Sequence, residues 1–471
     1  MSYRHGTVEP MDAAALLAPL DDDQRAVVET LGVPVAVLAG AGTGKTRTLT
    51  HRLAYAAASG AIDPGATLAL TFTTAAADEV RTRLEAMGIR GVQSRTFHSA
   101  CLRQAQFFWP EVYGATLPMV QDRREPLIRQ ACGRLGLPAS DATIREIDAE
   151  ISWTKQTNVV PEEYVDLARV ERRGLIHLSP DQVADAIVAY EEAKQIACVI
   201  DLDDLLLCTV ALLATQDDVV RRVRATYRHF LFDEFQDVSP VQARLVELWV
   251  GGRSDVCVVG DPAQTIHSFA GSRSVYLEGF ANTHSGAVGL ELTRNYRSTP
   301  EILRAAARLN TTGPRLRAVR PCGAEVEWCP APDPLREAMA ITEWLQSHHD
   351  AGLAWEQMAV LSRTRAQAES MRQILADQAI PFAWQHRDDR APGVRLSTLH
   401  AAKGLEWEAV AISGLSDNCL PHPLAVTPAQ IAEERRLLYV GMTRARSFLR
   451  LSWPKLVDGR PVRVSPFLAN P

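Results

Sequence analysis

VPVAVLAGAGTGKT, residues 33–46, is the stretch that decides the fold of the first half of the chain. Its first seven residues form an apolar run that predicts a buried strand. The glycine-rich AGTGKT that ends the stretch predicts a tight loop and then a helix beginning near Lys45. This succession is typical of a parallel α/β sheet, whose ligands bind at the carboxyl ends of the strands.

Seven further apolar runs extend this pattern along the chain. Three of them precede residue 290 and deliver polar residues at their carboxyl ends: ATLALTFT (66–73), RHFLFDEF (228–235) and SDVCVVGDP (254–262). A second series follows: AEVEWCPA (324–331), MAVLSRT (358–364), GVRLSTLH (393–400) and AVAISGL (409–415). Residues 105–200 have helical periodicity instead. The sequence therefore predicts an α/β protein: a first domain (1–104 and 201–290), a helical insertion within it (105–200) and a second domain (291–471).

Bulk composition excludes several classes of protein. The chain has 471 residues, a net charge of −6 and 46% hydrophobic residues, so it is not a globally basic nucleic-acid binder. It has no long uncharged apolar run, and its acidic N-terminus is unlike a signal peptide, so we expect a cytoplasmic protein without a membrane partner. The eight cysteines lack the spacing of zinc ligands. There are five lysines against 45 arginines, and two of the five, Lys45 and Lys403, lie in glycine-containing contexts.

The loop at 39–46 matches a phosphate-binding pattern except that Ala39 replaces a glycine. Backbone N–H groups of such a loop wrap a triphosphate, the lysine (Lys45) reaches the β- and γ-phosphates, and the hydroxyl of Thr46 binds Mg²⁺. The other members of the expected ATP cradle are Ala41, Gly42, Thr43 and Gly44. The alternative is a glycine-rich turn without a ligand.

A pair of carboxylates, Asp233 and Glu234, follows the apolar run in RHFLFDEF. Hydrolysis of a nucleoside triphosphate needs one carboxylate near Mg²⁺ and another that orients or deprotonates water. Asp233 fits the first role and Glu234 the second. Acidic residues also decorate many helix N-termini, which is the alternative for the pair taken alone.

Eight ordered motifs resemble those of one enzyme family. They are AGAGTGKT, TFTTAAADEV, TFHSACLR, DEFQD, VVGDPAQTIHSFAGS, LTRNYRST, TLHAAKGLEW and EERRLLYVGMTRAR. Together they are similar to the UvrD/Rep/PcrA branch of superfamily 1 helicases over about residues 20–450. The resemblance implies two RecA-like motor domains (1A and 2A), a helical insertion (1B), use of ATP and Mg²⁺, and 3′–5′ movement along single-stranded DNA. It also implies binding of single-strand/duplex junctions.

The resemblance carries family roles onto individual positions. ATP is expected between the two motor domains. Gln24 would contact the adenine edge, Arg47 and Tyr296 the base, and Glu406 the ribose. Gln264 would sense the γ-phosphate, and Arg297 and Arg444 would be the two arginine fingers. For DNA the positions are Phe72, His98, His267, Phe269, Arg363 and His400. The chain departs from the family at three places, where Thr74-Ala75 replaces Asn-Lys, His267 replaces Tyr and Ala270 replaces Arg.

The loop QHRDDRAPG near 385–393 stands where larger relatives insert a helical subdomain (2B). The resemblance therefore predicts a compact ATP-dependent DNA translocase or helicase, either with less built-in restraint than its larger relatives or restrained by a regulatory protein partner. Two alternatives remain open at this point. The chain could be the ATPase subunit of a larger anti-phage or repair assembly, acting as a DNA sensor or displacer, or a phosphate-loop ATPase unrelated to nucleic acid.

Overall fold

The computed structural model describes residues 12–385 and 391–469. The chain divides into two compact units. The first comprises the residues up to Leu38, Lys45–Gly260 and His267–Glu291. The second comprises Ala39–Gly44, Asp261–Ile266 and the residues from Leu292 onward.

A six-stranded sheet organises the first unit. Its strands and those of a small second sheet are β1 (Val35–Ala39), β2 (Thr67–Thr71), β3 (Gln93–Thr96), β4 (Met119–Gln121), β5 (Val199–Asp201), β6 (His229–Phe232), β7 (Val256–Gly260) and β8 (Val288–Leu292). The order in the large sheet is β3-β2-β6-β7-β1-β8, and β4 pairs with β5. The pairings from β3 through β1 are parallel, so the carboxyl ends of these strands lie at one edge of the sheet.

Fourteen helices surround these strands in the described part of the first unit. They are α1 (Ala13–Leu17), α2 (Asp22–Glu29), α3 (Lys45–Ala58), α4 (Thr74–Ala86), α5 (Phe97–Tyr113), α6 (Glu125–Leu135), α7 (Asp141–Thr157), α8 (Pro161–Val170), α9 (Pro180–Ala197), α10 (Leu202–Thr215), α11 (Asp217–Thr226), α12 (Pro240–Val250), α13 (Val275–Glu278) and α14 (Phe280–Thr283). The ring of Phe97 stacks on Phe232 and Trp249, with centroids 6.2 Å and 6.0 Å away, so α5 and α12 pack on the sheet through aromatic side chains.

Helices α6–α9 have a hydrophobic core of their own, which contains Ile147, Tyr164 and Tyr190. Helix α5 already begins at Phe97, ahead of the predicted insertion boundary at residue 105. The domain boundaries drawn from the sequence remain predictions.

A buried charge cluster joins the helical insertion to β5 and α10. The Nζ atom of Lys155 lies 2.6 Å from both Asp201 Oδ2 and Asp204 Oδ1 and 2.9 Å from Glu191 Oε1. Lys194 pairs with the same Glu191 and Asp204. The three carboxylates also have the spacing of a cation site, but the two ammonium groups and the guanidinium of Arg124, 3.1 Å from Asp201, already pair with them. Buried charges need such pairing, so we interpret the cluster as structural.

A second six-stranded sheet organises the second unit. The strands of this unit are β9 (Arg294–Asn295), β10 (Arg317–Ala318), β11 (Glu327–Ala331), β12 (Met358–Ser362), β13 (Phe382–Trp384), β14 (Val394–Thr398), β15 (Trp407–Ser413), β16 (Ala445–Pro454), β17 (Leu456–Val457) and β18 (Arg460–Pro461). The helices are α15 (Pro300–Ala307), α16 (Pro334–Asp350), α17 (Arg365–Asp377) and α18 (Pro428–Met442). The large sheet has the order β11-β16-β15-β12-β14-β13, and every pairing in it is parallel.

The two parallel sheets confirm the predicted fold class. Each of the eight apolar runs named from the sequence contains or overlaps an observed strand. The other ten strands in the described part of the chain, among them β3, β8, β13 and β16 of the two large sheets, were not predicted. The predicted short loop near 385–393 joins β13 to β14, and its residues 386–390 lie outside the described residues.

All eight cysteines are unpaired thiols. Among the described residues, no helix combines the length and the apolar character that crossing a membrane requires.

Candidate functional site

The phosphate loop follows β1 and leads into α3. Gly42 and Gly44 have φ angles of +69° and +79°, which favour glycine. A Cβ atom on Gly42 would lie 2.6 Å from both Arg297 Cβ and Asn295 Nδ2. The hydroxyl of Thr43 closes the turn by donating to the Gly40 carbonyl at 2.9 Å. Two of the three glycines of the loop, Gly42 and Gly44, thus have left-handed backbone angles, whereas Gly40 does not. Helix α3 begins at Lys45, with Thr46 in its first turn.

The carboxylate pair lies at the carboxyl end of β6, which neighbours β2 and β7 in the same sheet. Glu234 Oε1 is 3.5 Å from Lys45 Nζ, and its Oε2 accepts a hydrogen bond of 2.5 Å from Gln236. Asp233 is buried, with 7% of its surface exposed to solvent. Burial, and then the neighbouring charge of Glu234, raise the pKa of Asp233 to about 7. The charge of Lys45 opposes this rise in the pKa of Asp233.

Glu234 has a φ angle of +52°, in the left-handed region. A side chain with a Cβ seldom adopts this conformation, which turns the backbone sharply after the strand. The backbone N–H of Glu234 donates to Asp233 Oδ1 at 2.9 Å, so the two acids are held by one turn. Both belong to the first unit, as does Lys45.

In the second unit, residues of the LTRNYRST motif hold the backbone of the phosphate loop. Asn295 Nδ2 donates to the Ala41 carbonyl at 2.6 Å, and the backbone N–H of Tyr296 donates to the Gly42 carbonyl at 2.8 Å. The side chain of Tyr296 is 38% exposed. Asn295 was not predicted as a functional residue, although its place beside Tyr296 in a recognised motif was a signal for it.

The two predicted arginine fingers are both held by protein groups of the second unit. Arg444 is 1% exposed, and its Nη2 donates to Gln264 Oε1 at 3.2 Å. Arg297 forms an ion pair with Glu406 and donates to the Thr443 carbonyl at 3.2 Å. The structure therefore brings together Arg444 and Gln264, and separately Arg297 and Glu406.

Lys403, one of the five lysines, contacts the same loop as Arg444. Its Nζ donates to the backbone carbonyl of Gln264 at 2.7 Å. The guanidinium of Arg436 donates to the next carbonyl, that of Thr265, at 2.7 Å. These two cations fix the backbone on which the predicted γ-phosphate sensor lies.

The predicted adenine-binding residues lie near α2 and α3. Gln24 is buried and forms a capping box with Asp21, accepting from its backbone N–H at 3.4 Å. Arg47 donates to the Pro19 carbonyl at 2.6 Å. Gln24 thus has a local structural role, and its adenine-binding role stays a prediction.

The predicted DNA-stacking aromatics differ in exposure. Phe269 is 51% exposed, and its ring centroid is 5.9 Å from that of His267. Phe72 is half-buried and packs edge-on against Phe97, with centroids 6.1 Å apart. Phe269 therefore offers more surface for stacking than Phe72, part of which belongs to the core.

The remaining predicted DNA contacts occupy three different environments. His98 lies in the first turn of α5, with Nε2 3.8 Å from Asp203 Oδ1, which is too long for a hydrogen bond. Arg363 donates twice to Glu434, at 2.9 Å and 2.6 Å, which leaves fewer donors for a phosphate. His400 is half-buried just after β14.

Two family models match the chain over most of its length. The model of the UvrD/REP helicase N-terminal domain matches residues 20–285, and that of the UvrD-like helicase C-terminal domain matches residues 384–455. The chain belongs to the UvrD/REP helicase family. This membership confirms the family predicted from the eight motifs and the predicted class of enzyme, ATP-dependent DNA helicases.

Several curated proteins are similar to this chain. ATP-dependent DNA helicase UvrD2 of Mycobacterium tuberculosis (strain ATCC 25618 / H37Rv) is 34% identical over 553 aligned positions, which cover 93% of this chain and 79% of UvrD2. UvrD1 of the same strain is 31% identical, and PcrA of Leuconostoc citreum is 28% identical. Each of these two alignments covers 79% of this chain and 50% of the relative. The UvrD2 alignment has more positions than the 471 residues of this chain, so UvrD2 contains internal segments that this chain lacks.

Proposed function

We propose that this protein is an ATP-driven translocase that moves 3′ to 5′ along single-stranded DNA and separates duplexes. The observation that carries the proposal is the pairing of Lys45 with Glu234, 3.5 Å apart at the end of β6, beside the buried Asp233. A phosphate-binding lysine and two carboxylates are the groups that hydrolysis of ATP requires. The family membership supports DNA as the second ligand.

In the proposed reaction, the phosphates of ATP compete with Glu234 for the ammonium group of Lys45. This competition releases the Glu234 carboxylate, which then accepts the proton of the attacking water. Gln236 holds the other oxygen of Glu234 and so fixes its orientation. Arg297 and Arg444 stabilise negative charge that develops on the γ-phosphate.

The donor set at the end of β6 fits a divalent cation. Asp233 is buried with a raised pKa, and a nearby cation would stabilise its ionised form. We propose that Asp233 and the hydroxyl of Thr46 hold Mg²⁺, which neutralises phosphate charge when bound.

On the DNA side, we propose that Phe269 stacks on a base and that His267 and Phe72 line the same path. The exposed ring of Phe269 supports this assignment. His98, Arg363 and His400 are proposed backbone contacts, and Arg363 would have to share its guanidinium with Glu434.

A pair of assays tests the proposed function. The steady-state ATPase rate is measured with and without single-stranded DNA, and strand separation is measured on duplexes with a 3′ or a 5′ tail. We expect strong stimulation by DNA and unwinding from the 3′ tail. A rate indifferent to DNA would refute the proposal, and unwinding from the 5′ tail alone would refute the polarity.

A further inference from the structure

Gln156 lies at the C-terminal end of α7 and bridges two other segments of the first unit. Its Oε1 accepts a hydrogen bond of 2.6 Å from the hydroxyl of Ser239. Its Nε2 donates to Asp203 Oδ1 at 2.7 Å. One side chain of the helical insertion therefore uses both ends of its amide to join the segment after β6 to the start of α10.

Ser239 connects this bridge to the carboxylate pair. Its hydroxyl caps α12 by accepting from the backbone N–H of Gln242 at 3.3 Å. The short 3₁₀ helix Phe235–Asp237 lies between Glu234 and this cap. Gln236 in that helix donates to Glu234, so Ser239 and the proposed general base lie on one short segment of the chain.

Asp203 connects the other end of the bridge to a proposed DNA contact. Its Oδ2 accepts from Ser152 at 2.6 Å and is paired with Arg124. Its Oδ1, which accepts from Gln156, faces His98 Nε2 at 3.8 Å. That Nε2 is buried without a hydrogen-bond partner among the described residues. A small movement of His98 towards Asp203 would therefore form a hydrogen bond to the oxygen that accepts from Gln156.

Gln156 also supports the loop that carries Phe269. Gly271 in that loop has a φ angle of +95°, and a Cβ atom added there would lie 3.2 Å from Gln156 Cβ. The same added atom would lie 3.1 Å from Thr157 Cγ2, so the loop passes close to the C-terminal end of α7. From the same face of the insertion, Arg173 donates to the Phe269 carbonyl at 3.0 Å.

We propose that Gln156 is a positioning residue through which DNA bound at His98 and Phe269 accelerates ATP hydrolysis at Glu234. Its two hydrogen bonds and its contact with the loop form one continuous path inside the first unit. The inference rests on the proposed function, and it assigns the helical insertion an active part in coupling.

The test measures the ratio of the DNA-stimulated to the basal ATPase rate, together with the dissociation constant for single-stranded DNA. Gln156→Glu keeps the acceptor for Ser239 but loses the donor to Asp203. Burial acts to raise the pKa of Asp203, but the nearby imidazole of His98, the charge of Arg124 and the hydrogen bond from Ser152 hold that pKa below its usual range. The aspartate is therefore ionised, and the two carboxylates repel each other. We expect the ratio to fall about fivefold to tenfold. The basal rate and the dissociation constant should stay within about twofold.

A second substitution is expected to rescue the first. In Gln156→Glu/Asp203→Asn, an asparagine amide nitrogen at the Oδ1 position can donate to the new carboxylate. The asparagine oxygen can still accept from Ser152 and Arg124. We expect the double variant to recover the stimulation ratio to within about twofold of wild type. If Gln156 had only a structural role, the second substitution would not restore the ratio of stimulated to basal ATPase rates while the affinity for DNA stayed the same.

Two further variants keep the inference falsifiable. Gln156→Ala removes both hydrogen bonds without adding charge, and Gln195→Glu adds the same charge at an exposed position of α9. We expect Gln156→Ala to lower the ratio and Gln195→Glu to leave it unchanged. Undiminished stimulation in Gln156→Ala would overturn the inference, as would a double variant no better than Gln156→Glu. If wild type itself is not stimulated by DNA, the proposed function fails instead.

Discussion

Glu234 combines a left-handed backbone, a hydrogen bond from Gln236 and a contact with Lys45. We expect Glu234→Gln to bind ATP and single-stranded DNA normally, because it keeps the shape of the side chain. Its turnover should fall by about 100-fold or more, since the amide cannot accept the proton of water. Single-turnover ATP hydrolysis and equilibrium binding of a fluorescent ATP analogue measure the two effects separately.

Glu247→Gln is the matched control for this variant. Glu247 is exposed on α12 and pairs with Arg244 one turn away. The control removes the same charge from the same part of the fold, and its turnover should equal that of wild type. Near-wild-type turnover in Glu234→Gln would show that Glu234 is not the general base.

Phe269 gives a second prediction at the scale of one residue. Stacking of a base on an aromatic ring contributes about 1–3 kcal/mol, so Phe269→Ala should weaken binding of single-stranded DNA about tenfold. Fluorescence anisotropy of a labelled oligonucleotide measures this directly. Phe107→Ala removes a ring that is 64% exposed on α5, outside the predicted DNA path, and should bind DNA like wild type. Equal losses in the two variants would argue against a stacking role for Phe269.

The sequence predicted some site residues better than others for a physical reason. Lys45 and Asp233 follow apolar strands directly, so the parallel fold alone brings their segments to one edge of the sheet. The contact of Arg444 with Gln264 depends on packing across 180 positions of the chain, which no local pattern specifies. Gln156 was missed because a glutamine near a helix end carries no chemical signature of its own.

At the scale of elements, the apolar composition of a strand decided whether it was predicted. Strands β2 and β7 are buried at every position and read as continuous apolar runs. Strand β3 (QSRT) contains only polar residues, so its pairing with β2 could not be expected from its composition. Strand β16 alternates arginines and serines with apolar residues, although it lies between β11 and β15 inside the sheet.

The buried charge cluster gives a prediction at this scale. Lys155→Met would leave Asp201 and Asp204 with fewer countercharges in a buried site, at a cost of about 3–5 kcal/mol. We expect faster amide hydrogen exchange in α7, α9 and α10. Lys455→Met, at an exposed lysine, should leave this exchange unchanged. Exchange in Lys155→Met that matches wild type would show that the cluster does not hold these helices together.

At the scale of the whole molecule, the net charge of −6 constrains how DNA binds. Binding of a polyanion then depends on a local basic surface, whose contacts with phosphates release counterions. We expect the affinity for single-stranded DNA to fall steeply with salt, with a slope of about −0.7 per phosphate contact on a log–log plot. Titrations between about 50 and 200 mM salt measure the slope. Affinity independent of salt would mean that stacking alone holds the DNA.

The distribution of lysines has a practical consequence for attaching this protein to probes or surfaces. Lys155 and Lys194 are buried in the charge cluster, Lys45 contacts Glu234, and Lys403 donates to the Gln264 carbonyl. Lys455 is the exposed one of the five. Acylating reagents that attack neutral amines should therefore modify Lys455 first among the lysine side chains. The native chain thus offers a chemically distinct handle for tethered measurements of movement along DNA, without an engineered cysteine or tag.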